Sequence, residues 1–420
     1  MSAIAAEGVV DPIVLAAQAV AAGDVPAELD VPGSPRLVFG AGMADRVGQW
    51  ALPLSARRRA LVVTDPGIER AGHAGRVVQS LRSAGFEVAV FRDVIENPTS
   101  EVVDRCVEAA RAAGADLLVG VGGGSAMDTA KGCNFVLTNG GSMRDYWGKG
   151  KATRPMLPLI AAPTTSGTGS ECQSYALISD PVTHQKMACG DPKAMAQLAV
   201  LDPTLTLTQP ARVTCDTGVD ALAHALETAV TRARTADSIR LSHVAFTLAL
   251  GNLGRVLSEP LDLAARGRMQ LAAAFAGAAI ERSMLGAAHA AANPLTAQFG
   301  VVHGQAVGMM LPAVLRFNAE DPEALRGYAQ LALASGLGAA QGAAQGADGA
   351  DERELLAALL DSVERLLGAA GIARTLRVRG IGSHAIPGLA AEAATQWTGR
   401  FNPREVGRAE FEGLYAAVAG

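Results

Sequence analysis

The sequence is short of the features that mark several whole classes of protein. Its 420 residues include five cysteines, Cys106, Cys133, Cys172, Cys189 and Cys215, an odd number with no CxxC spacing. That pattern excludes a disulfide framework and a thiolate zinc site, and it fits a reducing, cytoplasmic setting. No run of 18 uncharged apolar residues occurs, so no transmembrane helix or membrane partner is expected. Basic excess is missing too. The net charge is −5, which argues against a nucleic-acid-binding surface. Lysine is scarce: five of the 36 basic residues, all between Lys131 and Lys193. The apolar run 13–22 is preceded by Glu7 and Asp11 and by no basic residue. A secretory leader starts with positive charge, so this run reads as a short N-terminal helix.

What is present is apolar bulk in two arrangements. Hydrophobic residues make up 49% of the chain and charged ones 18%, and the length suggests two or three domains. Up to about residue 210, strand and helix signals alternate. Arg59–Thr64, Glu87–Phe91, Asp116–Val121, Leu157–Ala162 and Gln197–Leu201 read as strands, and Val102–Ala113 as a helix stopped by Gly114. Alternating βαβ units with strands apolar on both faces imply a parallel sheet covered on both sides. After Pro210 the pattern turns helical, over Gly218–Val230, Ile239–Val256, Leu263–Ala279 and Leu355–Leu367. The expected organisation is an N-terminal extension at 1–33, an α/β nucleotide-binding domain at 34–210 and an all-α domain at 211–420. The Gly/Ala/Gln-rich stretch 334–351 reads as a surface loop within the last.

Four constellations carry chemistry. Gly122-Gly123-Gly124-Ser125 follows the strand ending at Val121 and opens a helical pattern containing Asp128 and Lys131. Glycines allow a phosphate close to the backbone, and a helix N-terminus offers it free N–H groups. The GxGxxG fingerprint is absent, so a plain βα turn stays open as the alternative. Asp65 directly follows the strand Arg59–Thr64, a place where a carboxylate can accept from a ribose hydroxyl and repel a 2′-phosphate, which favours NAD over NADP; a turn or capping role before Pro66 is the alternative. Pro163–Glu171 (PTTSGTGSE) is dense in hydroxyls and glycines and suits binding of phosphate, ribose or amide. Asp220 and His224, at i and i+4 of a helical pattern, share a face. His289 and His303 follow, with Asn293-Pro294 and Gly300 interrupting the chain between them. One carboxylate and three imidazoles suit Fe(II) or Zn(II). The other histidines, His73, His184, His243 and His384, have no comparable partners.

Together, Gly122–Lys131, Pro163–Glu171, Gly218–Glu227 and the segment from His289 to His303, in that order, resemble the iron-containing (group III) alcohol dehydrogenase family. The resemblance runs over roughly residues 34–418. It implies an α/β dinucleotide-binding domain with a parallel sheet and an all-α C-terminal domain, the dehydroquinate synthase-like architecture, with the active site between them. It implies that Asp220, His224, His289 and His303 hold one metal, commonly iron and sometimes zinc. It further implies NAD(P) contacts from Asp65, Gly122, Gly123, Gly124, Ser125, Thr164, Thr165, Thr168 and Lys186. Asp128 is expected near the nicotinamide and Asn97 near the cofactor or substrate, so that His289, His303 and Asp128 are the catalytic candidates. The implied reaction moves a hydride between NAD(H) and a small alcohol, aldehyde or ketone, with the metal as Lewis acid on the substrate oxygen. A homodimer or higher homo-oligomer is implied as well. Polyol dehydrogenases and maleylacetate-type reductases are close alternatives; a dehydroquinate synthase-like lyase is a more distant one. One departure stands out: Asn293 occupies a position where many members carry another histidine, and an amide cannot relay a proton by titrating. Phe299, Phe317 and Phe401 are candidate substrate-lining residues.

Overall fold

The computed structural model describes residues 27–182, 185–337 and 351–420. The run 13–22 and most of the stretch 334–351 lie outside the described residues.

Among the described residues, ten strands form two sheets. They are β1 (Ala27–Leu29), β2 (Arg36–Phe39), β3 (Arg59–Val63), β4 (Glu87–Phe91), β5 (Leu117–Gly122), β6 (Gly148–Lys149), β7 (Leu159–Pro163), β8 (Tyr175–Ser179), β9 (Lys186–Gly190) and β10 (Leu198–Leu201). Seven make one sheet in the order β1-β2-β10-β7-β5-β3-β4. It is parallel except for the β1–β2 pair. Every residue of β5 and β7 is buried. This is the consequence of helices packing on both faces of a parallel sheet. Those helices come from α1 (Val47–Ala51), α2 (Pro66–Arg70), α3 (His73–Ser83), α4 (Ser100–Ala113) and α5 (Gly124–Asn139). The second sheet, β6-β9-β8, is small and mixed. The sequence pattern did not reveal it, because its strands are short and pair across distant segments.

From Ala211 onward every described regular element is helical: α6 (Ala211–Thr228), α7 (Ala236–Ser258), α8 (Leu263–Ser283), α9 (Ala287–Phe299), α10 (His303–Asn318), α11 (Pro322–Ala334), α12 (Glu352–Ala369), α13 (Ile386–Ala393) and α14 (Arg408–Ala417), with short 3-10 turns between. α8 is alanine-rich and buried almost all round, as expected for a helix at the centre of a core. Asn293-Pro294 does not interrupt the chain as its sequence suggests. α9 runs through Pro294 and ends at Gly300, which is left-handed. The break between His289 and His303 is therefore made by Gly300 alone. Among the described residues no single helix is long and apolar enough to cross a membrane.

Candidate active site

One face of α6 carries Asp220, His224 and Glu227, spaced i, i+4 and i+7. α9 brings His289, and α10 begins at His303. Three imidazoles then face one carboxylate oxygen. Asp220 Oδ1 lies 3.3 Å from His289 Nε2, 3.4 Å from His224 Nε2 and 3.7 Å from His303 Nε2. Donors about 2.1 Å from a common ion in a tetrahedron are about 3.4 Å apart, so these separations fit a shared cation. Asp220, His224 and His289 form the tightest group, with one candidate atom each within 4.8 Å of the others. His303 sits at its margin. Buried His303 Nδ1 has no hydrogen-bond partner. The close approach of α10 to α6 depends on Gly304, where a Cβ would lie 2.0 Å from the Asp216 carbonyl oxygen.

The other faces of two rings are fixed. Glu227 Oε2 is 2.5 Å from His289 Nδ1, and Glu227 Oε1 accepts from the Ala288 amide at 2.7 Å. His224 Nδ1 lies 3.2 Å from the Gly167 carbonyl oxygen. These contacts leave both Nε2 atoms directed at Asp220, a known way to orient metal-binding imidazoles. Burial opposes charge on His289, but Glu227 and Asp220 override it and hold the ring up at about 9. Glu227 was present in the sequence block but had no role assigned to it. Its spacing from Asp220 on the same helical face was the available signal.

On the facing α/β half, Gly123 caps α5, and Gly123, Gly124, Ser125, Asp128, Thr165, Thr168, Asn97 and Lys186 line the same cleft, of about 480 Å³, as the four metal-type side chains. At Gly124 a Cβ would meet Thr168 Cγ2 at 2.9 Å, so glycine is what lets this turn and the PTTSGTGSE loop close together. The free N–H end of α5 faces that cleft and suits a phosphate. Asp65 does serve as a helix cap: its Oδ1 accepts from Gly67 and Ile68 amides at 2.7 and 3.0 Å. It lies beside Gly122. Thr164 is buried, its amide donating to the Gly122 oxygen, and neither it, Gly122 nor Asp65 lines the cleft. Asn97 has φ +51°, a left-handed conformation that asparagine tolerates better than most residues.

Asp128 is buried, accepting from Ser170 Oγ at 2.7 Å and the Leu177 amide at 3.2 Å, and burial raises its pKa. Lys131 lies beneath it, fully buried, with Nζ donating to Ser170 O, Ser170 Oγ and Tyr175 O. Of the three phenylalanines proposed to line a pocket, Phe299 is exposed and Phe317 lies under the Arg404 guanidinium. Phe401 alone packs beside the site, edge-on to Trp397. The sequence reading missed Tyr175, Gln396 and Trp397, which line the cleft from segments far apart in the chain.

Residues 34–203 match the family model described as "Iron-containing alcohol dehydrogenase", and residues 214–419 match "Fe-containing alcohol dehydrogenase family, C-terminal". A choline dehydrogenase of Bacillus subtilis is 34% identical over 380 residues, spanning 90% of this chain and 91% of that protein. An NAD-dependent methanol dehydrogenase of Bacillus methanolicus is 34% identical over 68% of this chain and 74% of its own. The crystal structure of a 1,3-propanediol oxidoreductase superposes with a TM-score of 0.85 at 28% identity, covering 94% of this chain and 99% of that one. These relatives favour a dehydrogenase over a lyase. The chain belongs to the iron-containing alcohol dehydrogenase family and is an oxidoreductase that moves hydride between a nicotinamide cofactor and an alcohol or its carbonyl product.

Proposed function

We propose that this enzyme holds one divalent metal, Fe(II) in preference to Zn(II), on Asp220, His224, His289 and His303, and that it uses NAD rather than NADP. The observation that carries the metal reading is the convergence of three Nε2 atoms on Asp220 Oδ1 at 3.3, 3.4 and 3.7 Å. A cation bound there supplies Lewis acidity toward the substrate oxygen.

The remaining work falls to the chain. Gly123, Gly124 and Ser125 receive the pyrophosphate at the α5 N-terminus, with Thr165 and Thr168 on the facing loop and Gly122 and Thr164 bonded to each other behind them. Asp65 accepts from the adenosine ribose through the oxygen not engaged in capping, and this supports NAD. Asp128, Asn97 and Lys186 bracket the nicotinamide end. Bound there, the nicotinamide would supply a hydride acceptor at C4: the carbinol C–H bond would break with both electrons leaving as hydride, while the hydroxyl O–H bond gave up its proton and a C=O bond formed. The two halves must hold the carbon and C4 about 3–3.5 Å apart. Asn293 donates to Gln396 at 3.0 Å and carries no titratable proton, so no proton relay runs through it. The cytoplasmic reading is supported by five free cysteines, four of them buried. Assembly as a homodimer or higher rests on the resemblance, and light scattering decides it.

Metal analysis of the purified protein, paired with NADH formation from an alcohol panel, tests the reading. One equivalent of metal is expected, with activity lost on chelation and restored by ferrous salt. His289→Ala should lose metal and activity while still binding NAD. Full turnover by metal-free protein would defeat the proposal.

A further inference from the structure

Aromatic residues are 4% of this chain, with three tryptophans and four tyrosines. Two of those tryptophans and one tyrosine, Trp147, Trp397 and Tyr175, line a single cavity of about 860 Å³. It meets the cleft described above at shared residues, among them Tyr175, Asn293 and Trp397. Neither the glycine cradle nor any of the four metal-type side chains lines it. Asn97 and Lys186, assigned above to the nicotinamide end, do line it, so it is space that adjoins the reacting end of the cofactor and not the glycine turn.

One side of its wall carries the three rings, two of them backed by Phe401 and Met284, and the rest of the lining is mostly polar, Thr99, Thr296 and Thr395 among it. Trp397 stacks on Tyr175 with centroids 5.8 Å apart and planes 27° apart, and Phe401 meets Trp397 edge-on at 6.0 Å and 89°. Met284 belongs to the same apolar cluster. Trp147 is 45% exposed, an apolar surface that water does not favour and a ligand can cover. The volume is of the order that encloses drug-sized molecules, far above the needs of a two- or three-carbon alcohol. Where the cavity joins the cleft, the shared polar groups are Asn97, Lys186 and the neutral amides of Asn293 and Gln396, the last two bonded to each other.

We propose that the substrate is an alcohol or aldehyde whose reacting carbon is borne on a planar aromatic body, and that this body stacks in the cavity bounded by Trp397, Tyr175 and Trp147. The proposal rests on the dehydrogenase reading and leaves its hydride and proton balance unchanged. Ring faces reward a flat, electron-delocalised ligand through offset or edge-to-face stacking. A flexible aliphatic chain would fill the same volume while losing rotor entropy on binding. A quaternary ammonium alcohol is disfavoured, because the Lys149 ammonium lies 5.8 Å from the Tyr175 ring centroid and Lys186 lines the same cavity. Glu392, the carboxylate on its wall, already accepts from Gln298 Nε2.

The test measures kcat/KM of the metal-loaded enzyme with saturating NAD for ethanol, 1,3-propanediol, 1-hexanol, choline, benzyl alcohol and 2-naphthalenemethanol. The aryl carbinols are expected to exceed the short alcohols and choline by about a hundredfold, chiefly through KM. Trp397→Ala should lower kcat/KM for the aryl carbinols at least about tenfold more than for ethanol, and Trp397→Phe should restore most of the difference. Independently of turnover, benzyl alcohol added to the enzyme–NADH complex should quench tryptophan fluorescence, and Trp147→Phe with Trp397→Phe should abolish the quenching. Equal or better turnover of short alcohols or choline, or a Trp397→Ala loss uniform across substrates, overturns the proposal and leaves the dehydrogenase reading standing. No NADH formed from any alcohol, and none consumed with any aldehyde, overturns both.

Discussion

Asp65 Oδ1 accepts from the amides of Gly67 and Ile68, and its proposed contact to a ribose hydroxyl falls to the other oxygen. The two roles separate by substitution. Asp65→Ser keeps a capping oxygen and removes the charge, so the preference for NAD over NADP should fall at least about tenfold with little change in stability. Asp65→Ala should lose the preference and about 1 kcal/mol of stability as well. Paired cofactor kinetics and urea melts read both, and an unchanged cofactor ratio in the two variants would mean that the residue only caps. Glu227 allows a similar separation. It is buried against His289 and the Ala288 amide, so Glu227→Gln, which keeps an acceptor for one of the two donors, should weaken metal binding about 10–100-fold. Glu227→Ala should weaken it further, with NAD affinity unaffected in both. Competition with a chelator measures this, and a metal affinity equal to that of the unmodified enzyme in Glu227→Ala would remove Glu227 from the site. Asp220 and His224 were legible in the sequence because a helix places i and i+4 together. Glu227 shares that face but reads like any solvated helical glutamate until α9 is seen to lie against it.

At the scale of elements, the site depends on how closely α10 approaches α6. The Cβ that Gly304→Ala introduces would lie 2.0 Å from the Asp216 carbonyl oxygen, a backbone atom that cannot rotate away. α10 would have to move, and His303 begins that helix. Displacing a reacting geometry by about 1 Å costs about a hundredfold in rate. Gly304→Ala should therefore lower kcat by about that factor while NAD binding, which belongs to the facing half, changes less than about twofold. Stopped-flow kinetics and equilibrium NAD titration separate the two, and an unchanged kcat would show that the helices yield without moving His303. Elements with local signals were legible. β3, β4, β5, β7 and β10 coincide with the apolar β-branched runs read from sequence, within a residue or two. The β6-β9-β8 sheet was not, because β6 is two residues long and its partners lie some 40 residues away. That sheet supplies Tyr175, and Trp397 comes from a 3-10 turn more than 200 residues further on, which is why these rings stayed hidden when Lys186 of the same sheet did not.

Across the whole molecule, the two halves are joined by a buried polar network rather than by apolar contact alone. Glu281 of α8, in the helical half, accepts from the Ser174 amide and hydroxyl at 2.9 and 2.8 Å. A few residues away, Lys131 of α5 is bound to Ser170 and Tyr175. Between them in sequence sits Glu171, 2% exposed. Burial outweighs the attraction of Lys131 and lifts its carboxyl to about 7. An unfolded glutamate releases its proton near pH 4.5, so between that pH and about 7 the folded chain binds the proton that the unfolded chain has lost. Linkage then makes stability fall as pH rises through this window. The contribution is full below about pH 4.5 and gone above about pH 7, an order of about 3 kcal/mol. Asp128, Cys172 and Glu281 share the Lys131 neighbourhood, so a pH profile of the unmodified enzyme sums several groups. The Glu171→Gln variant isolates one. It keeps the shape and cannot ionise, so the difference in unfolding free energy between the two proteins should change with pH in the variant's favour from pH 5 to 7. Urea unfolding of both proteins across that range measures the difference directly. A constant offset at every pH would mean that Glu171 stays charged in the folded protein, with Lys131 neutralising it.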